Sequence, residues 1–328
     1  MISKNKVFSI DTIRGLAALS VCLFHFANTS LHFTGNTSWY KQFASFGWLG
    51  VEAFFVVSGF VIPYSLLSNN YKIYQFPKFF LKRCLRIEPP YILSIFLVII
   101  LNYLVSFSPA FKGAAFKIDL VQVLLHFAYL TEHFGYQLLQ PVFWTLEAEF
   151  QFYIIIGLVI PFAIRNKFSI YLFLFVLLIT ALVFPLNIFK YMPFFVMGIS
   201  ACFYMKKYLQ FYEYLFFIFM SSIFVYQTNQ LAVCMVVGLS VSLIICFTNI
   251  RSRVTDFLGK ISFSLYLVHI PIGSKILNYG SRYANTDLKI YGFLIFSLIF
   301  TISFAWVFFK LVEQPSLRWS SKINYKIT

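Results

Sequence analysis

Acidic side chains are scarce in this chain: 11 Asp and Glu among 328 residues, against 26 Lys and Arg. Charged residues of both signs make up only 11%, while hydrophobic ones reach 60%. That is too apolar for a soluble domain of this length. Length alone would permit two soluble domains, but no stretch has the mixed composition to build one. Cysteine is also sparse. None of Cys22, Cys84, Cys202, Cys234 and Cys246 forms a C-x-x-C pair, so neither a disulfide framework nor a zinc site is indicated. No two histidines and a carboxylate fall at metal-ligand spacing, so no metal is expected. Low-complexity tracts and internal repeats are not visible. The net charge of +15 does not point to nucleic acid. Its basic residues fall in short clusters between apolar runs, as membrane topology requires.

Long apolar runs are what the chain has in quantity. A membrane span needs roughly 20 mainly apolar residues, and ten such runs are readable: 8–31, 47–68, 89–108, 142–164, 169–186, 190–206, 211–228, 231–249, 257–278 and 289–312. The expected fold is therefore all-α: a polytopic membrane protein of about ten transmembrane helices around a polar central cavity. Lys4 and Lys6 before the first run imitate a signal peptide. Arg14 interrupts that run and no clear cleavage site follows, so it is expected to remain as the first helix. The stretch "LVQVLLHFAYLT" (120–131) is apolar but too short to span, and is predicted to be re-entrant or interfacial. With ten spans and a cytoplasmic N-terminus, nineteen of the 26 basic residues fall on one side and seven on the other. That bias places both termini inside.

Within the apolar runs, a few polar residues stand out because ionisable groups are costly in a bilayer and usually face a bundle interior. "RGLAALSVCLFH" is bounded by Arg14 and His25, eleven residues apart. At about 3.6 residues per turn they share a helix face, separated by roughly 16 Å. "GVEAFFVVSGF" brings Glu52, and "FWTLEAEFQFY" brings Glu149, into the outer half, with Glu147 nearer the surface. His25, Glu52 and Glu149 are expected to converge in one outer pocket, where a histidine beside carboxylates can act as a general base. In "FLKRCLRIEPPY", Arg83 and Arg86 share a face at i, i+3, with Lys82 beside them and Pro89–Pro90 starting the next span. Arginine forks suit phosphate oxygens, and Arg14 lies at a similar depth. In "GKISFSLYLVHIPI", Ser262, Tyr266 and His269 form a polar stripe. Each group also has a purely structural reading: interhelical hydrogen bonding for the histidines and serines, solvation for Glu52 and Glu147, an ordinary basic anchor for the arginines. His32, His126 and His133 are read as interfacial.

Taken together these stretches resemble the acyltransferase-3 family of integral membrane acyltransferases. The matching residues are "SIDTIRGLAALSVCLFHF", "GVEAFFVVSGFVIPY", "FLKRCLRIEPPYIL", "FWTLEAEFQFY", "LGKISFSLYLVHIP" and "LVEQPS", in the family's order, from residue 9 to 316. The resemblance implies a membrane domain over 1–316 with a short cytoplasmic tail at 317–328. It also implies a multi-pass location in the bacterial cytoplasmic (inner) membrane. It further implies an O-acyltransferase, commonly taking acetyl from acetyl-CoA to a hydroxyl on a cell-surface or secreted glycan such as O-antigen (lipopolysaccharide) or capsule. Its partners would be membrane lipids, acyl-CoA and a lipid-linked or surface glycan. Arg14 and His25 match the Arg–ten residues–His motif. Arg83 and Arg86 match the Arg-rich entry to the third span, and Glu149 matches the carboxylate of Trp-Ser-Leu-x-x-Glu, with Thr145 in place of Ser. His269, with Tyr266, matches Tyr-x-x-His, and Glu313 with Pro315 matches the closing Glu-x-Pro. Residues vary at the position of Glu52. No hydrolase-like soluble domain of the kind some members carry is present in this sequence, so transfer through a second soluble carrier domain is not expected. On this reading the arginines hold CoA at the inner side. His25 deprotonates the acceptor or transiently carries the acyl group, with Glu149 orienting it or raising its basicity. The competing readings are a proton-coupled transporter, weakened by the missing repeat, and a non-catalytic scaffold.

Overall fold

The computed structural model describes residues 7–29, 39–107, 117–228 and 231–323. His32, Lys4, Lys6, Lys112 and Lys326 lie outside the described residues. Among those described there is no strand. The helices are α1 (Ser9–Ala27), α2 (Trp39–Ala44), α3 (Gly50–Ser68), α4 (Phe76–Ser106), α5 (Leu120–Ala128), α6 (Phe143–Ala163), α7 (Lys167–Val183) and α8 (Asn187–Lys190). They continue as α9 (Met192–Met205), α10 (Phe211–Thr228), α11 (Leu231–Cys246), α12 (Arg253–Val268), α13 (Lys275–Gly280), α14 (Asp287–Phe308) and α15 (Gln314–Ser321). Five helical stretches are long and apolar enough to cross a membrane, and four shorter apolar helices stand beside them. With the composite α12–α13 stretch, each of the ten predicted spans has its helix, and the chain is an all-α, multi-pass membrane protein.

The shortest of these, α9, is 14 residues, or about 21 Å at 1.5 Å per residue. That falls short of a hydrocarbon core of about 30 Å. The helix is buried from Met192 to Phe203 and packs along α3, so its ends meet protein rather than lipid. Some helix starts are capped by side chains: Asn166 accepts from the Ser169 N–H, Ser252 and Thr255 form a reciprocal box, and Thr286 receives the Lys289 N–H.

Helices run through two of the expected boundaries. Pro89–Pro90 lie inside α4, which runs through both as one helix of 31 residues. Each proline removes one intrahelical donor without stopping the chain, which packed neighbours tolerate in a membrane helix. Arg83 and Arg86 therefore sit within the helix body. The boundary at 316 also falls inside a helix. α15 crosses it and docks on α4, where the Ser320 hydroxyl donates to the Lys82 carbonyl at 2.9 Å and Lys82 Nζ donates to the Ile323 carbonyl at 3.3 Å. The segment 120–131 gives only the 9-residue α5, closed by Tyr129 in the left-handed region, and is too short to span.

α1 and α12 form the tightest pair around the site. A Cβ on Gly15 would lie 2.7 Å from the Gly259 nitrogen, and one on Gly259 would lie 2.3 Å from the Asp11 carbonyl oxygen. Small residues let the two backbones touch. That contact sets the stripe of α12 directly beside the Arg14–His25 face of α1.

Candidate active site

Four helices carry their polar residues to matching depths. Along α12 and the turn that follows it these are Ser262, Tyr266 and His269; along α1, Arg14 and His25; along α3, Glu52 and Ser58; along α6, Thr145 and Glu149. The Tyr266 hydroxyl meets Thr145 Oγ1 at 2.6 Å, and Thr145 in turn donates to the Val142 carbonyl at 2.9 Å. This bond joins α12 to α6 and marks a partition. Two cavities lie on either side of it, and Tyr266 and Val51 line both.

On one side is a cavity lined by Arg14, Arg83, Arg86, Ser58, Glu149, Tyr153, Ser262 and Glu313 among others. Arg83 is only 5% exposed. Its guanidinium carbon stands 5.5 Å from the ring centroids of both Phe79 and Tyr153, and its Nε has no hydrogen-bond partner. The carboxylates here are held by other groups. Glu149 Oε1 accepts from the Ser58 and Tyr153 hydroxyls, both at 2.5 Å. Glu313 Oε2 accepts from the Ser264 hydroxyl at 2.5 Å and the Ser264 N–H at 3.1 Å. No ion pair among the described residues joins either carboxylate to the three arginines. The guanidinium forks are thus left facing the cavity, the arrangement that suits a polyanion such as a phosphate.

On the other side is a cavity lined by His25, Glu52, Trp48, Trp144, Tyr191 and Phe24 among others. The half-buried His25 ring lies 5.2 Å from the ring of His269, tilted by 45°. His269 is fully buried, and its Nδ1 contacts the Leu265 carbonyl at 3.1 Å. A carbonyl only accepts, so Nδ1 carries the proton and Nε2 keeps a lone pair. Nε2 has no partner. His269 opens a π-helical turn (His269–Ser274), and Glu313 closes a second one (Phe309–Glu313). Wide turns of this kind are rare and concentrate at functional sites.

His25, Glu52 and Glu149 do not converge. His25 and Glu52 share the second cavity, but Glu149 belongs with the arginines. It lies four residues beyond Thr145, one turn or about 6 Å along α6, which carries it past the partition. The group beside His25 is His269. Glu147 is not a surface residue either. It is 2% exposed, receives the Glu132 N–H and stands 3.5 Å from His133 Nδ1, which ties the 129–140 segment to α6. His126 is likewise buried. Its Nδ1 bonds the Gln122 carbonyl at 2.8 Å, and its Nε2 accepts the Leu139 N–H at 3.1 Å. Sequence reasoning overlooked Trp48, Trp144 and Tyr191, since aromatic residues are so common here (21%) that none draws notice. It also overlooked Ser58 and Tyr153, whose spacing from Glu149 is set by two helices rather than one.

A multi-helix membrane bundle with an arginine-lined cavity backed by a histidine-lined one is the class that fold and site define. The chain belongs to the acyltransferase-3 family, whose model, an acyltransferase domain, matches residues 7–310. It is similar to O-acetyltransferase OatA of Staphylococcus aureus (strain NCTC 8325 / PS 47), 26% identical over 175 residues, covering 51% of this chain and 26% of that protein. The peptidoglycan O-acetyltransferase OatA of Listeria monocytogenes is 31% identical over 163 residues, covering 47% and 24%. A putative acetyltransferase, ORF330, of Acidianus two-tailed virus is 27% identical over 301 residues, covering 81% and 83%. The matches to the two OatA proteins span about a quarter of their length. No solved structure matches the chain.

Proposed function

We propose that this protein is a membrane O-acyltransferase that moves an acetyl group from cytoplasmic acetyl-CoA to a hydroxyl of a cell-surface or secreted glycan. The observation that carries the reading is the pair of cavities meeting at Tyr266, one lined by three arginines and one by a histidine. Membership of the acyltransferase-3 family and relatives named O-acetyltransferases support it. Arg14, Arg83 and Arg86 bind the CoA phosphates, and the thioester reaches past Val51 and Tyr266 towards His25. The His25 imidazole takes the proton of the acceptor hydroxyl. The alkoxide oxygen attacks the thioester carbonyl, the C–S bond breaks, and the CoA thiolate leaves with the proton returned from the imidazolium. His269 is a positioning residue, its free Nε2 available to accept an N–H from His25. Glu149 and Glu313 order the donor cavity through Ser58, Tyr153 and Ser264.

The test is full-length protein in lipid nanodiscs with acetyl-CoA labelled in its acetyl group and a glycan extract from the producing cell. Label should appear on glycan with an equal amount of free CoA thiol. A transporter would leave the thioester intact.

The same reading puts the arginine cavity towards the cytoplasm, with both termini inside the bacterial cytoplasmic membrane. The nineteen-to-seven basic asymmetry supports this orientation. Single cysteines placed at the exposed positions 117 and 207 of a cysteine-free protein should be labelled from outside and from the cytoplasm respectively. The reverse pattern overturns the orientation.

A further inference from the structure

We propose that the cavity beside His25 is a subsite for a neutral pyranose: Trp48 and Trp144 hold the ring, and Glu52 binds a hydroxyl adjacent to the one acylated. The proposal rests on the glycan-acyltransferase reading and names the sugar that reading leaves open.

The subsite is built from Glu52 upward. This carboxylate is 2% exposed, and its Oε2 has no hydrogen-bond partner. A buried acceptor left unmade is costly. What completes a buried carboxyl oxygen is a hydrogen-bonding partner, and a sugar hydroxyl, which can both donate and accept, supplies it. Around Glu52 the lining is aromatic: Trp48, Trp144, Tyr191, Phe24 and Tyr266. Trp144 is braced, its ring 4.8 Å from Tyr191 and 5.9 Å from Phe55, so it presents a fixed surface. A pyranose has an apolar C–H face and a hydroxyl rim. The aromatic rings match the first and Glu52 with His25 match the second. Because Glu52 on α3 and His25 on α1 line one cavity, a single ring can meet both through neighbouring hydroxyls.

The lining also sets the charge of the sugar. Among the described residues no Lys or Arg lines this cavity, whereas three arginines line its neighbour; Lys190 acts on Glu52 from over the ring of Tyr191, 5.5 Å from its centroid, and does not line the cavity. An anionic sugar would lose its hydration there beside the buried acidic Glu52, and burying a second acidic group against it is strongly unfavourable. Neutral hexoses and N-acetylhexosamines fit; uronic acids do not.

The experiment uses the full chain in nanodiscs with methyl β-D-glucopyranoside, methyl N-acetyl-β-D-glucosaminide and methyl β-D-glucuronide as probes. Binding is followed by tryptophan fluorescence, and acetyl transfer is measured separately with labelled acetyl-CoA. A neutral glycoside should bind and the glucuronide should not. Glu52→Ala should weaken neutral-glycoside binding about tenfold or more, as expected for a lost hydrogen bond to a charged group, with acetyl-CoA binding unchanged. Trp144→Leu should also weaken it, and provides the second variant if Glu52→Ala fails to insert. Failure of both neutral probes to bind, equal binding of the glucuronide, or wild-type affinity in folded Glu52→Ala overturns the subsite. Glu52-dependent binding without any acetyl transfer leaves the subsite standing and overturns the transferase reading instead.

Discussion

Replacing His25 by Gln should lower acetyl transfer by about 10²–10⁴-fold, the usual contribution of a positioned general base. Insertion and acetyl-CoA binding should stay intact, because His25 lies across the Tyr266–Thr145 partition from the arginines. Gln keeps a hydrogen-bonding side chain of similar reach but cannot take a proton near neutral pH. His25→Ala should lose as much activity, which separates loss of basicity from loss of packing. His269→Gln should fall less far, since His269 is buried behind His25 and acts through it. The measurement is single-turnover transfer of labelled acetyl in nanodiscs, with acetyl-CoA affinity determined on the same preparation. Near-normal turnover in well-folded His25→Gln would make His25 a helix-packing residue and move the search for the base to His269 and Glu149.

Removing the arginine fork should act on the opposite half of the reaction. Arg83→Ala and Arg86→Ala should each weaken acetyl-CoA binding by roughly 10–100-fold, the equivalent of about 1.5–3 kcal/mol for a hydrogen bond to a charged group. Arg83→Lys should restore little. The Arg83 guanidinium is a planar group set beside two aromatic rings, and an ammonium offers neither the plane nor the fork. Equilibrium binding of acetyl-CoA to the purified variants decides the matter, read against dephospho-CoA to show that the lost contact is to phosphate. Unchanged affinity in folded proteins would return the cluster to the role of a basic anchor at the end of a membrane helix.

Much of the fold was legible because membrane helices announce themselves locally. A run of about 20 apolar residues must bury its backbone polar groups in its own hydrogen bonds, so composition alone yields helices and their number. The arginines were legible for a similar reason. Arg83 and Arg86 share one helix face by their i, i+3 spacing, and their forks suit phosphate oxygens. The π turns at His269 and Glu313 left a fainter trace. Each carries a proline two positions on, Pro271 and Pro315, which removes a helical donor at that point.

The sequence by itself determined that the chain is a bundle of about ten membrane helices, that Arg14 and His25 share a face of α1, and which polar residues the bundle must hide. Only the tertiary structure decided which of those residues meet. Glu149 parts from His25 because the Tyr266–Thr145 bond divides the interior and α6 carries Glu149 one turn beyond it. His269 meets His25 because Gly15 and Gly259 let α1 and α12 touch. Glu147 and His126 became fastenings for the 120–140 segment rather than surface groups. Helical spacing fixes angle and depth along one helix, and it carries no information about the rotation and offset of another. Those come from the packing of small residues and buried polar bonds between helices, set by the fold as a whole.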